Sequence, residues 1–530
     1  MSKKNNLRAD MENGESAEQS GNSGAPSGSR GLTSCDISGD YKDPKPFVFV
    51  IFGGAGDLSR RKLLPTLFSM YARGNMPEEF EIIAFGRQDL DNEQYRKLIL
   101  EALRESDEIG SPEPEQVRAF SERLSFAYGH FETAAHYNDL NRLVKEKSRN
   151  YRMDVIYYLS IPSTLYNQVI STISESDLPV GVANTKIVIE KPFGKNISTA
   201  LELNKTVNSV FREEQVFRMD HYLGKETVQN IIFFRFANSI FEPLWNRNYV
   251  DNIQITVAES IGVEHRGRFY EKTGAIRDIF QNHMLQVLAL VAMEPPTSFH
   301  ALQVRDEKVK VLRSLRPVPY DQVSAESIAG QYAGGLINGR NVRGYREEEN
   351  VSPESTIPTF FAARLHLDNW RWAGVPIYVR TGKRLPRRVT EVVIKFKQPP
   401  LKLFKDDCLP LDSTSLVLTI QPEERIQMRM GVKYPESSNL IVPVDMSFCY
   451  NNFFDRTYVS PYERLLRDCL GGDQALFVRQ DAVEASWEYA DPFVERWEEC
   501  DCLELYEAGT WGPEGSADLI ERDGRRWETV

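Results

Sequence analysis

Hydrophobic and polar positions divide the chain into three textures. Residues 1–44 carry almost no large apolar side chains and are rich in Ser, Gly, Asn, Glu and Lys. Such a stretch buries too little surface to offset the entropy of ordering, so a disordered tail is expected, with the folded region beginning near Pro44. From there to about residue 220, short continuous apolar runs alternate with helical spacing: FVFVIF at 47–52, then 81–85, VIYYL at 155–159 and KIVI at 186–189. Continuous runs suit strands buried on both faces, and strand–helix alternation gives a parallel sheet covered by helices on both sides. Beyond residue 220 the period becomes two, at 252–258, at 389–397 (VTEVVIKFK) and at 415–421 (SLVLTIQ). That pattern predicts antiparallel sheet with one face covered. The expected fold is an α/β Rossmann-type dinucleotide-binding domain over 45–220. An α+β domain with a large, mostly antiparallel sheet follows over 221–530.

The first apolar run flows into Gly53-Gly54-Ala55-Gly56-Asp57-Leu58 and then a helical stretch over 59–71, with Leu63, Leu67 and Met70 at helical spacing. Strand, glycine turn and helix form the opening unit of a dinucleotide site. The glycines let the backbone approach a pyrophosphate, which rests on the positive end of the helix. Gly54 and Gly56 fit the G-x-G-x-x-G pattern, and Ser59 takes the third place. The second strand ends in Gly86-Arg87. An acidic side chain there takes the ribose 2′-hydroxyl of NAD, whereas a cation suits a 2′-phosphate, so NADP is the expected cofactor. A surface arginine with no ligand would account for Arg87 equally well. Lys191, within EKPFG (190–194), stands at the carboxyl edge of a later strand, where ligands of such sheets bind.

The densest chemistry is RMDHYLGKE at 218–226. His221, Tyr222 and Lys225 all donate hydrogen bonds, and Lys225 adds a fixed charge, a set that suits a phosphorylated substrate. Asp220 only accepts, which suits holding a histidine in one tautomer. Each member taken alone reads more readily as a helix start, with Asp220 as N-cap and a solvated face behind it; the cluster as a whole does not. A long helix is predicted over 274–293, with apolar Ile276, Ile279, Phe280, Val287, Leu290 and Val291, stopping at Pro295-Pro296. His283 lies on that apolar stripe, where a histidine is most often core. Asp278, Gln281, Asn282 and Gln286 make the stretch polar for a buried helix, and that points back toward a site.

Composition narrows the classes without changing the picture. At 530 residues the chain exceeds a single core, and 41% hydrophobic with 26% charged residues is an ordinary globular balance. A net charge of −12 argues against a nucleic-acid partner while leaving room for a small phosphorylated ligand. No apolar run is long enough to span a bilayer. The six cysteines, at 35, 408, 449, 469, 500 and 502, show no metal-binding spacing and no dense disulfide pattern. No metal site is expected, and a reducing cytoplasm fits best.

Five motifs then stand in order along the chain: GGAGDL (53–58), EKPFG (190–194), RMDHYLGKE (218–226), RDIFQNHMLQ (277–286) and RTGK (380–383). Through them the sequence resembles the glucose-6-phosphate dehydrogenase family, and bacterial members most, over nearly all of the chain after residue 45. The resemblance implies oxidation of glucose 6-phosphate at C1 to a lactone, with hydride passed to NADP⁺. It implies His283 as general base and Asp220 as the carboxylate that orients it. His221, Tyr222, Lys225 and Lys383, with Arg388 beside them, match a phosphate clamp, and Lys191, Glu259 and Asp278 match groups that hold sugar hydroxyls. Gly53, Gly54, Gly56, Asp57, Leu58 and Arg87, with Lys191, match the coenzyme site. Family members self-associate through the large sheet, so a homodimer or homotetramer is implied. Animal members hold a second, structural NADP⁺ through cations; Val389, Val393 and Thr419 stand at those places here, so no second site is expected. Two competing readings are a dehydrogenase of another sugar phosphate or of free glucose, and a catalytically silent NADP-sensing protein. Three buried donors would lack partners on a sugar without phosphate. A silent protein would not need both Asp220 and His283.

Overall fold

The computed structural model describes residues 42–530, apart from 107–108, 111, 181–183, 338, 402–413, 437–439, 454–458, 501 and 529–530. The tail expected over 1–44 therefore lies almost wholly outside the described residues. Six strands, β1 (Phe47–Phe52), β2 (Phe80–Gly86), β3 (Leu124–Tyr128), β4 (Asp154–Leu159), β5 (Thr185–Glu190) and β6 (Val216–Met219), form one sheet in the order β3-β2-β1-β4-β5-β6. Every pair is parallel. All six residues of β1 are buried, as its continuous apolar run requires of a central strand covered on both faces. Chain order reverses between β1 and β4, which opens a crevice at the carboxyl ends of the strands.

The second sheet is larger. Its strands are β7 (Val250–Ala258), β8 (Ser327–Ala333), β11 (Phe360–Leu365), β12 (Ile377–Gly382), β13 (Val389–Phe396), β14 (Ser415–Gln421), β15 (Arg425–Lys433), β16 (Ile441–Cys449) and β17 (Glu504–Glu507); a separate hairpin, β9 (Gly335–Ile337) with β10 (Arg340–Val342), lies outside it. The order is β16-β15-β14-β13-β7-β12-β11-β8-β17. Pairing is antiparallel except for β7 with β12 and β8 with β17. In one respect the pattern of period two misleads. The polar positions of β7 and β13 do not face solvent: Asn252, Gln254, Thr256, Glu391 and Lys395 are all buried. The C-terminal segment lies over them, with Gln254 Nε2 donating to the Arg526 carbonyl at 3.0 Å, Glu528 N donating to Gln254 Oε1 at 2.8 Å, and Lys395 ion-paired with Glu528. Alternation therefore reports a buried polar layer here.

The long helix expected over 274–293 is wound in two ways: a π-helix over Ile276–Met284, then an α-helix over Leu285–Ala292. Its last carbonyls, which no helical N–H can satisfy, are capped by side chains. Arg235, wholly buried, donates to the carbonyls of Leu290 (3.1 Å), Val291 (3.0 Å) and Met293 (2.9 Å). Trp245 Nε1 donates to Val291 O at 2.7 Å and Trp372 Nε1 to Ala292 O at 2.8 Å. This helix carries His283, so the same cap sets where that ring stands.

Replacing Arg235 by Leu strips donors from three buried acceptors and a partner from Glu242, and should destabilise the protein by about 3–5 kcal/mol. Urea unfolding monitored by tryptophan fluorescence measures this; a loss below about 1 kcal/mol would mean the cap is dispensable.

Candidate active site

Strand β6 ends at Met219, and the next residue caps the short turn His221–Gly224: Asp220 Oδ1 accepts the Tyr222 N–H at 3.0 Å. The same oxygen lies 2.5 Å from His283 Nδ1, with both side chains about 1% exposed. Asp220 Oδ2 and His283 Nε2 find no hydrogen-bond partner among the described residues. An acceptor-only carboxylate on Nδ1 makes that nitrogen the donor, so Nε2 keeps its lone pair. Ring packing fixes the imidazole plane as well. Tyr222 stacks on His283 with centroids 4.1 Å apart and planes 18° apart, and His221 meets it edge-on at 4.8 Å.

The π-winding matters to this geometry. Residues five apart on an α-helix point about 140° away from each other, whereas i→i+5 winding brings them to one side. Asp278 and His283 are five apart, and each acts on the other's protonation.

Electrostatics moves both members of the pair downward. Burial pushes the Asp220 carboxyl up, but the charge of His283, the hydrogen bond to it, and His221 and Lys191 together hold it far below the usual carboxylate range. Burial pushes His283 down, Asp220 pulls it part of the way back, and the balance is a lowered value. His221 sits well below its ordinary value, first through burial and then through His283.

Around this pair the other expected residues form linked groups. Lys191 Nζ donates to Asp278 at the carbonyl (2.9 Å) and at Oδ1 (3.1 Å). Burial raises Asp278, but Lys191, Lys383 and His283 bring it down to about 2. Lys383 donates to Glu259 Oε2 at 2.6 Å. Lys225 Nζ lies 3.7 Å over the Tyr222 ring and donates to Gln421 Oε1 at 2.8 Å. Burial, with Arg388 in support, brings Lys225 down to about 8. Arg388 Nη2 shares the same Gln421 oxygen at 3.3 Å, and Gln421 Nε2 donates to Thr390 Oγ1 at 2.8 Å. Gln421 and Thr390 escaped the sequence reading. Both lie in strands that were recognised, and a strand-end amide carries no chemical signal until the fold sets it beside two cations. Glu190 is a further addition: it bonds Tyr158 and Tyr462 next to Lys191.

The glycine turn forms a second locus at the carboxyl ends of β1 and β2. Gly53 has φ +81°, and a Cβ there would lie 2.4 Å from the Ser160 carbonyl oxygen; at Gly54 it would lie 2.3 Å from Ala84 Cβ. The turn is held by Gly53 N donating to Phe85 O and Gly56 N donating to Gly53 O, both at 2.8 Å. Leu58 leads into the π-turn Ser59–Leu63, and exposed Asp57 pairs with Arg61 at 2.8 Å. Arg87 is exposed directly after β2. A backbone turn with no room for side chains at the carboxyl edge of a parallel sheet is the geometry of a dinucleotide-binding domain. Lys191, following β5, lies on the same edge of the sheet.

Comparison with known proteins agrees along the chain. Residues 50–230 match the family model "Glucose-6-phosphate dehydrogenase, NAD binding domain", and residues 232–528 match "Glucose-6-phosphate dehydrogenase, C-terminal domain". A glucose-6-phosphate 1-dehydrogenase of Rhizobium meliloti (strain 1021) is 43% identical over 91% of this chain and 98% of its own length. The Bacillus subtilis (strain 168) protein of that name is 39% identical over 91% and 98%. Among solved structures, a glucose-6-phosphate dehydrogenase in complex with its substrate glucose 6-phosphate superposes with TM-score 0.84 at 31% identity, covering 92% of this chain and 100% of that one. A glucose-6-phosphate 1-dehydrogenase from Mycobacterium avium gives 0.80 at 32%, covering 92% and 99%.

The charge balance at His283 yields a titration test. In an NMR titration its imidazole should protonate below the ordinary histidine value. Asp220→Asn removes the anion that pulls the value up, so the midpoint should move lower still. A midpoint that rises in the variant would mean that Asp220 does not act on His283.

Proposed function

The chain belongs to the glucose-6-phosphate dehydrogenase family, and we propose that it oxidises D-glucose 6-phosphate at C1 with NADP⁺ as acceptor, giving 6-phospho-D-glucono-1,5-lactone, the opening step of an oxidative pentose phosphate route. It is an oxidoreductase of carbohydrate metabolism. The observation that carries the mechanism is the unequal use of the two His283 nitrogens: Nδ1 is committed to Asp220, while Nε2 is buried without a partner. A donor in the substrate satisfies that nitrogen, and the C1 hydroxyl is the donor whose proton the reaction must remove. His283 takes this proton at Nε2, and Asp220 stabilises the imidazolium as it forms. Bound NADP⁺ supplies the hydride acceptor.

The remaining residues bind and orient. His221, Tyr222, Lys225 and Arg388 present donors to the 6-phosphate, with Lys383 held beside them by Glu259. Lys191, Glu259 and Asp278 take the sugar hydroxyls. Gly53, Gly54, Gly56, Asp57 and Leu58 take the pyrophosphate side of the coenzyme, and Arg87 takes the 2′-phosphate. Residues 45–220 serve as the coenzyme domain and 221–530 as the domain for substrate and self-association. The outer strands β15 and β16 leave Val432, Val444 and Met446 exposed (37%, 41% and 62%), a surface that supports association with a second copy into a homodimer or homotetramer. No helix among the described residues is long and apolar enough to cross a membrane, and cytoplasmic residence is our reading.

Mixing purified protein with NADP⁺ and glucose 6-phosphate should raise absorbance at the NADPH band; no rise would end this proposal. His283→Asn should lower kcat by about 10²–10⁴-fold and leave the substrate KM near wild type, because the base acts on a proton that moves only in the transition state. A variant keeping a tenth of wild-type turnover would remove His283 from that role. Arg87→Ala should raise KM for NADP⁺ far more than for NAD⁺. Equal effects on the two coenzymes would place the 2′-phosphate elsewhere.

A further inference from the structure

One buried ammonium has no place in this mechanism. Lys308 lies on the helix Ala301–Arg313, is 2% exposed, and its Nζ finds no hydrogen-bond partner among the described residues. The helix packs against Leu285–Ala292, the continuation of the helix that carries His283. One turn before Lys308, Arg305 Nη2 donates to Gln474 Oε1 at 2.9 Å, and Gln474 Nε2 donates to the Val216 carbonyl at 2.9 Å. This face of the helix is thereby tied to β6, the strand that delivers Asp220.

Neighbouring carboxylates are already committed. Asp306 and Asp481 pair with Arg479, Glu307 with Lys310, and Glu213 with Arg218. Glu307 keeps one buried oxygen, Oε2, unmatched, and so does Asp220, whose Oδ1 serves Tyr222 and His283 while its Oδ2 finds no partner; of the two, Asp220 is the one whose charge acts on Lys308. Gln286 Oε1, one turn beyond His283, is likewise a buried acceptor without a partner. An orphan donor and an orphan carboxylate oxygen are thus set around the same helix. Burying an unpaired ammonium is costly, and a methionine of similar length would fill the space without that cost. Packing does not account for a lysine here.

We infer that Lys308 is a positioning residue for the reaction: from behind the site, through buried water, it orients the free oxygen of the Asp220 carboxylate and thereby keeps the His283 base in its reactive tautomer. Two charges act on Lys308 besides its burial. Burial is the largest effect and brings it down to about 7, Asp220 favours the ammonium, and Arg305 opposes it. The inference rests on the dehydrogenase reading above, in which Asp220 orients the base.

Lys308→Met separates function from structure. It should lower kcat for glucose 6-phosphate oxidation about tenfold, leave the substrate KM within about twofold, and raise Tm. The gain in Tm has a pH signature. Between the folded value of about 7 and the unfolded 10.5, the unfolded chain binds a proton that the folded protein does not. Wild-type stability therefore rises across that window, and the advantage of the variant should be largest below pH 7 and shrink toward pH 10. Lys308→Arg keeps the charge and should recover most of kcat. A Lys308→Met protein that keeps kcat within twofold, or loses stability along with activity, overturns the inference; so does a Lys308→Arg protein as slow as the Met variant. Wild-type turnover of glucose 6-phosphate tests the underlying reading separately, since only the ratio of variant to wild type bears on Lys308.

Discussion

The site depends on one hydrogen bond, from His283 Nδ1 to Asp220 Oδ1, between residues 63 apart in sequence. Both groups are withdrawn from water, where a lone carboxylate or imidazolium would pay several kcal/mol in lost solvation. Together they are tolerable only if the contact is short and held from both sides. Asp220 is held by the end of β6, whose Arg218 carbonyl accepts Val478 N at 3.0 Å, and by its own cap on the Tyr222 amide. His283 is held by a helix whose far end is clamped by Arg235, Trp245 and Trp372. Two distant anchors, one in the parallel sheet and one beside the large sheet, converge on a single bond. Much of the buried polar inventory follows from that requirement.

The cations around the pair are tethered in two different ways, and the difference bears on what each can bind. Lys191 and Lys383 rest on carboxylates, Asp278 and Glu259, so their charge is largely compensated before any ligand arrives. Lys225 rests on an aromatic face and a neutral amide, and Arg388 shares that amide. Neither makes an ion pair with a carboxylate in that contact, and burial, then Arg388, lower Lys225 while Asp220, Glu424 and Glu259 act the other way. In the proposed function Lys225 and Arg388 face the phosphate with Lys383 beside them, and Lys191 faces the sugar hydroxyls. Through Gln421 and Thr390 the large sheet tethers these two cations as well as contributing to the core.

Much of this was legible in the sequence. The apolar run 47–52 with the glycine turn behind it predicts β1, its burial and the cradle, because a central parallel strand and a close backbone approach each demand a particular residue type. RMDHYLGKE draws attention to itself because a carboxylate, an imidazole, a phenol and an ammonium around one glycine are hard to explain as surface. The π-winding at 276–284 was not legible, since i→i+5 and i→i+4 winding differ little in apolar spacing over two turns. Nor was the burial of the polar residues of β7 and β13, because alternation cannot distinguish water from a covering C-terminal segment. Gln421 and Lys308 are silent for the same underlying reason: an amide at a strand end and a lysine in a helix acquire meaning only from groups that the tertiary structure brings to them.

The strand order explains why one edge can serve both halves of the chemistry. The glycine turn, Lys191 and Asp220 follow β1, β5 and β6, and all emerge at the carboxyl ends of parallel strands. Between β1 and β6 stand β4 and β5, so the turn and the carboxylate are about 14 Å apart across the sheet. An antiparallel sheet would send alternate strand ends to opposite edges and split this set. The glycine turn after β1 offers backbone N–H groups and no room for side chains, while the end at β6 brings together a carboxylate, an imidazole and cations. A parallel sheet lets backbone recognition occupy one strand end and side-chain chemistry another. The helix that carries His283 then has only to reach the last of those ends.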